Sequence, residues 1–104
     1  MKLTVECIGS RVSFKISGII DAQGADLLEE RFKELNFIEL KELVLDFEKV
    51  QYICSLGVKK LLFFYKRMTT MGGRFHIKND SGIFHELLTV TNMNTLINCY
   101  GINE

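Results

Sequence analysis

Proline and tryptophan are missing from this chain, and so are a net charge, a long apolar run and a pairable set of cysteines. Thirteen basic side chains balance thirteen acidic ones, so the domain has no field with which to gather nucleic acid or an anionic membrane surface over a distance. Nucleic acid is therefore not expected as a partner. No stretch approaches the roughly 18 apolar residues that would span a bilayer. The opening Met1-Lys-Leu-Thr-Val-Glu-Cys is interrupted by Glu6, Arg11 and Lys15 and does not read as a signal peptide. The expectation is a cytoplasmic protein with no membrane insertion.

Cys7, Cys54 and Cys99 lie far apart and form neither a CxxC pair nor an even disulfide set. Cys7 and Cys99 read as small buried apolar residues. Cys54 directly precedes a serine at a predicted helix start, a position that can activate a thiol. His76 and His85 have no cysteine or carboxylate at ligand spacing, so neither a metal nor any other cofactor is expected. No GxSxG elbow surrounds the serine, and no glycine-rich loop precedes a helix to cradle phosphate.

What the chain does have is apolar substance: 47% of its 104 residues, enough for a packed core without disulfides. Nothing in it resembles a linker, so residues 1–104 read as one domain. Residues 3–8 alternate apolar and polar, Gly9-Ser10 turns the chain, and residues 12–16 alternate again, which is a hairpin. Ala25, Leu28, Phe32 and Leu35 recur at spacings of three and four, one face of a helix that Asn36 would end. Glu29, Glu30, Arg31, Lys33 and Glu34 form its solvated side.

Leu43-Val-Leu-Asp-Phe47 is a short apolar run, the pattern of a strand covered on both faces. A polar loop follows over residues 48–54, then a second helix over 56–71. Val58, Leu61, Leu62, Tyr65 and Met68 face inward from that helix, Lys59, Lys60, Lys66 and Arg67 face outward, and Gly72-Gly73 stops it. Arg74-Phe-His-Ile-Lys78 alternates as another strand. Asn79-Asp80-Ser81-Gly82 is turn chemistry, residues 83–90 suggest a third helix, and residues 95–99 a weak strand or turn.

Strand, helix, strand, helix in this order implies an α/β domain with parallel strands joined by right-handed crossovers. The segments 17–21, 48–54 and 79–82 then leave the carboxyl ends of the strands, where open α/β sheets place their sites. Asp21, Ser55 and Asp80 should share one rim. Ser55 falls at the predicted N-cap of the second helix, with its hydroxyl accepting from the first turn. First-turn amides and the positive end of the helix dipole would stabilise a phosphate carried there.

Val44-Leu-Asp-Phe-Glu-Lys-Val-Gln-Tyr-Ile-Cys-Ser-Leu-Gly57, the helix after it, Gly72-Gly73-Arg-Phe and Leu87-Leu88-Thr-Val-Thr-Asn92 together resemble the STAS domain of bacterial anti-sigma factor antagonists. Gly18-Ile-Ile-Asp21 is similar to the family's Gly-x-Leu-Asp before its first helix. The resemblance implies a mixed sheet of four to five strands with three to four helices, and no catalytic residues. It implies docking to an anti-sigma factor that is also a serine kinase, phosphorylation at Ser55, and reversal by a PP2C-type phosphatase. Asp21 would contact the partner, on a surface with Ile20, Cys54, Ser55, Leu56, Gly57, Lys60, Asp80 and Ser81.

The chain departs from the family motif at two places, Cys54 for the usual aspartate and Leu56 for a second serine or threonine. Leu56 would either enlarge an apolar rim around Ile19, Ile20 and Ile53 or turn into the core. Three readings stay open: a switched antagonist, a constitutive STAS subunit of a signalling scaffold or of a lipid-transport ABC ATPase, and a nucleotide-binding or thiol-dependent enzyme using Cys54 or Lys60.

Overall fold

The computed structural model describes residues 1–78. The predicted hairpin is β1 (Lys2–Ile8) and β2 (Arg11–Ile20), antiparallel from Lys2 opposite Ser17 to Ile8 opposite Arg11. Gly9 turns the chain at φ 59°, a left-handed conformation that glycine adopts without steric cost. Across the hairpin, Lys15 Nζ donates to Glu6 Oε1 at 3.0 Å. That hydrogen bond and the Glu6 charge raise the Lys15 pKa, so the stabilisation linked to the Lys15 proton is present at neutral pH and is lost as pH rises through the raised lysine pKa.

The chain continues through α1 (Ala22–Lys33), β3 (Glu42–Ile53), α2 (Ser55–Thr70) and β4 (Arg74–Lys78). β2, β3 and β4 pair in parallel, and the sheet order is β1-β2-β3-β4. The result is a small α/β domain whose described residues form a four-stranded mixed sheet and two helices. No described helix is long and apolar enough to cross a membrane. The predicted turn at 79–82, third helix at 83–90 and closing segment at 95–99, with His85 and Cys99, lie outside the described residues.

Alternation sends Val12, Phe14 and Ile16 of β2, Leu43, Leu45 and Phe47 of β3, and Phe75 and Ile77 of β4 to one face of the sheet, where all are buried. Onto them α1 lays Ala25, Leu28 and Phe32, and α2 lays Val58, Leu61, Phe64 and Met68. Phe32 stacks on Phe64 with ring centroids 4.3 Å apart, and Phe37 and Phe63 meet Phe32 edge-on at 5.1 and 5.9 Å. The two-sided burial expected of residues 43–47 is found at Val44, which is buried, and in part at Asp46, which is half-buried. Cys7, expected in the core, is exposed, because α1 packs over β2 and α2.

Both central strands outrun their sequence signals. β2 continues to Ile20 instead of stopping at Ile16, and residues 48–53, read as loop, are strand. The twelve residues of β3 pair with the ten of β2, and the surplus of two is taken up at register shifts between Lys15 and Ser17 and between Gly18 and Ile19. Each shift is a bulge that inserts one extra residue into β3. Inward positions are therefore spaced by three at Phe47, Val50 and Ile53, and a period-two reading ends at Phe47. α1 likewise stops earlier than expected, with Glu34 as its C-cap in place of Asn36.

Adjacent phenylalanines on α2 test this arrangement. Phe64 is fully buried and Phe63 is 42% exposed, so Phe64→Ala should cost about 3–5 kcal/mol of unfolding free energy and Phe63→Ala roughly 1 kcal/mol, the value of its edge-on ring contacts. Urea denaturation of the two variants gives the comparison.

Candidate functional site

Parallel pairing sets Ile20 opposite Ile53 at the carboxyl ends of β2 and β3, and each strand is separated from the next helix by a single residue, Asp21 or Cys54. Those two residues are neighbours across the rim, tied by the Cys54 N–H donating to the Ile20 carbonyl at 2.9 Å. Asp21 caps α1: its Oδ1 accepts from Gly24 N at 2.8 Å, and its carbonyl accepts from Ala25 N at 2.8 Å. The carboxylate is exposed.

The cap of α2 is Cys54, not Ser55. With β3 extended to Ile53, the one residue left in extended conformation (φ −78°, ψ 167°) is Cys54, whose Sγ accepts from Gly57 N at 3.4 Å and whose carbonyl accepts from Val58 N at 3.1 Å. Ser55 becomes the first helical residue. Its side chain is exposed and, among the described residues, has no hydrogen-bond partner. The amides of Ser55 and Leu56 belong to the helix's first turn, where no intrahelical acceptor exists, and they face the same end of the dipole.

Gly57 explains how closely α2 approaches the strands. It is buried, and a Cβ there would stand 2.7 Å from Ile53 Cγ1 and 3.1 Å from Ile20 Cγ2. Ile20 and Ile53 are themselves fully buried. They support the rim from beneath and do not form its apolar surface, because they point to the helix-covered face. The apolar surface comes from Ile19 and Tyr52, paired across the strands and each 49% exposed. Tyr52 was not singled out from the sequence; only the bulged register, which puts it beside Ile19, identifies it. Leu56 is half-buried and packs against the core's edge, so it serves both faces in part.

Lys60 does not open onto the rim. Its Nζ lies 3.2 Å from Glu29 Oε1 and 3.9 Å from Asp26 Oδ1, joining α2 to α1. The solvated side expected of α1 is thus half-claimed at Glu29. His76 lies towards the amino end of the strands, where Nε2 meets Glu42 Oε2 at 3.0 Å, well away from Ser55. Asp80 and Ser81 lie outside the described residues. Among the described residues no three His, Cys, Asp or Glu side chains gather as a metal cluster.

The STAS domain family model matches residues 2–101. This chain belongs to the STAS domain family. No curated protein sequence matches it. Among solved structures, the anti-sigma factor antagonist SpoIIAA in its unphosphorylated form superposes with a TM-score of 0.76 at 15% identity, covering 97% of this STAS domain and 98% of SpoIIAA. The Bacillus SpoIIAA in its phosphorylated form gives 0.74 at 16%, over 90% and 86%. An anti-sigma factor antagonist from Mycobacterium paratuberculosis gives 0.73 at 21%, over 91% and 80%. The protein Mglu gives 0.69 at 24%, over 77% of this chain, which spans only 20% of Mglu. At such identities the likeness is one of fold.

Two substitutions probe how the rim is held. Gly57→Ala should destabilise the STAS domain by about 1–3 kcal/mol, because the buried Ile53 must leave its position. Cys54→Asp should stabilise it by about 1 kcal/mol, since a carboxylate is a far better cap acceptor than a thiol. Both are read from denaturant midpoints at an unchanged slope.

Proposed function

We propose that this STAS domain is a non-enzymatic binding module, an anti-sigma factor antagonist acting in the cytoplasm. Its rim of Asp21, Ile19, Tyr52, Ser55 and Leu56 docks a serine-kinase anti-sigma factor, and phosphorylation of Ser55 by that kinase weakens the docking. A PP2C-type phosphatase resets it. One observation carries the reading: the Ser55 hydroxyl is exposed at the first position of α2 and is not spent on capping, because Cys54 caps.

A phosphoryl group on Ser55 brings a charge of roughly −1.5 to −2. In the free domain the first-turn amides and the helix dipole stabilise it, and Cys54, standing where the family has aspartate, removes a like charge beside it. In the complex the same dianion is taken out of water into the interface, close to Asp21. Burying it uncompensated costs several kcal/mol, a large part of the roughly −8 kcal/mol of a micromolar complex. The enzymatic alternative would draw on two groups already engaged, the Cys54 sulfur with the Gly57 amide and Lys60 with α1.

Pull-downs with a serine-kinase anti-sigma factor from the same genome test the switch. Wild type and Ser55→Ala should be retained, and Ser55→Asp should bind at least about tenfold more weakly, equivalent to ~1.4 kcal/mol. Equal retention of Ser55→Asp and wild type would refute the proposal.

A further inference from the structure

β1 is the outer strand of the sheet, and among the described residues no strand pairs with its outer edge. It runs for seven residues in unbroken register with β2. Proteins blunt such edges with prolines, bulges, short strands or several charges. β1 has no proline and no bulge, and its charges are Lys2 and Glu6 alone. Thr4 lies midway between them on the same face. The other face carries Leu3, Val5 and Cys7, and there Val5 is 37% exposed because no described helix lies over it.

We propose that a second copy of this chain adds to this edge, β1 against β1 in antiparallel sense, about a two-fold axis at Thr4. In that register Lys2 of each copy faces Glu6 of the other on the polar side, and Leu3 of each faces Val5 of the other on the apolar side. Both faces match at once, which is what cross-strand pairing rewards, and a two-fold axis makes every contact occur twice. Moving the axis to Val5 sets Lys2 against Ile8 and Thr4 against Glu6, losing both ion pairs. Moving it to Glu6 sets two carboxylates against each other. The charge pattern thus selects one register, and the described strands of the two copies then form one continuous sheet.

Sedimentation equilibrium of the full chain over a range of concentrations tests this with wild type, Lys2→Glu and Glu6→Lys. Wild type should dimerise. Each variant places like charges opposite one another twice and should weaken self-association about tenfold or more. An equimolar mixture of the two should recover association, because the new acid at position 2 meets the new base at position 6. Circular dichroism confirms folding, and Lys2→Glu leaves the Lys15 to Glu6 pair untouched. A monomeric wild type, a dimer that both variants leave intact, or a mixture that fails to recover would each overturn the proposal.

Discussion

The seating of Gly57 against Ile20 and Ile53 is the contact on which the rim depends. Parallel pairing brings the two isoleucines together, and a residue without a side chain lets the start of α2 settle onto them. The Cys54 amide then reaches the Ile20 carbonyl, so the end of one strand and the start of the second helix are held as a unit. A Cβ at position 57 would push the Ile53 side chain out of its place and loosen the support under Asp21 and Ser55. The isoleucines act from below. Exposed at the same ends of the strands are an acid, Asp21, a hydroxyl, Ser55, and the half-exposed side chains of Ile19 and Tyr52.

Much of this was legible in the residues. The hairpin, the inward face of α1, the glycine stop after α2 and the short β4 follow from periodicity and turn chemistry, and the sequence of elements places Asp21 and Ser55 on a common edge. On α2, Val58, Leu61 and Met68 are buried as expected, but Phe64 takes the fully buried place expected of Leu62 and Tyr65, which are half-buried. What was not legible lies where a local rule met a tertiary constraint. Two bulges in β3 break the alternation that marks a strand, so residues 48–53 looked like polar loop. Capping preference favours serine over cysteine, but the extended strand left only position 54 with cap geometry, and that exchange released the hydroxyl.

Burial was misjudged for a related reason. Ile20 and Ile53 sit at segment ends, where sequence cannot tell the covered face from the open one until the register is known. Lys60 reads as a surface cation by helical spacing, yet α1 offers Glu29 and Asp26 within reach, so its charge holds helix to helix. Cys7 reads as a core residue by type, and is exposed because the described helices pack over β2 to β4, with only Leu3 of β1 reaching the edge of the core.

The chain belongs to the STAS family and shares the fold of SpoIIAA, and the proposed function rests on the chemistry of the rim. In the function proposed above, a helix start that stabilises an anion in the free domain and an interface that must take that anion out of water set phosphorylation and docking against each other. The most direct measurement is mass spectrometry of the tryptic peptide spanning residues 50–59 after incubation with a serine-kinase anti-sigma factor from the same genome and ATP. A single phosphoryl group localised to Ser55 is the predicted result; a peptide that stays unmodified, or one modified at Tyr52 instead, would contradict it.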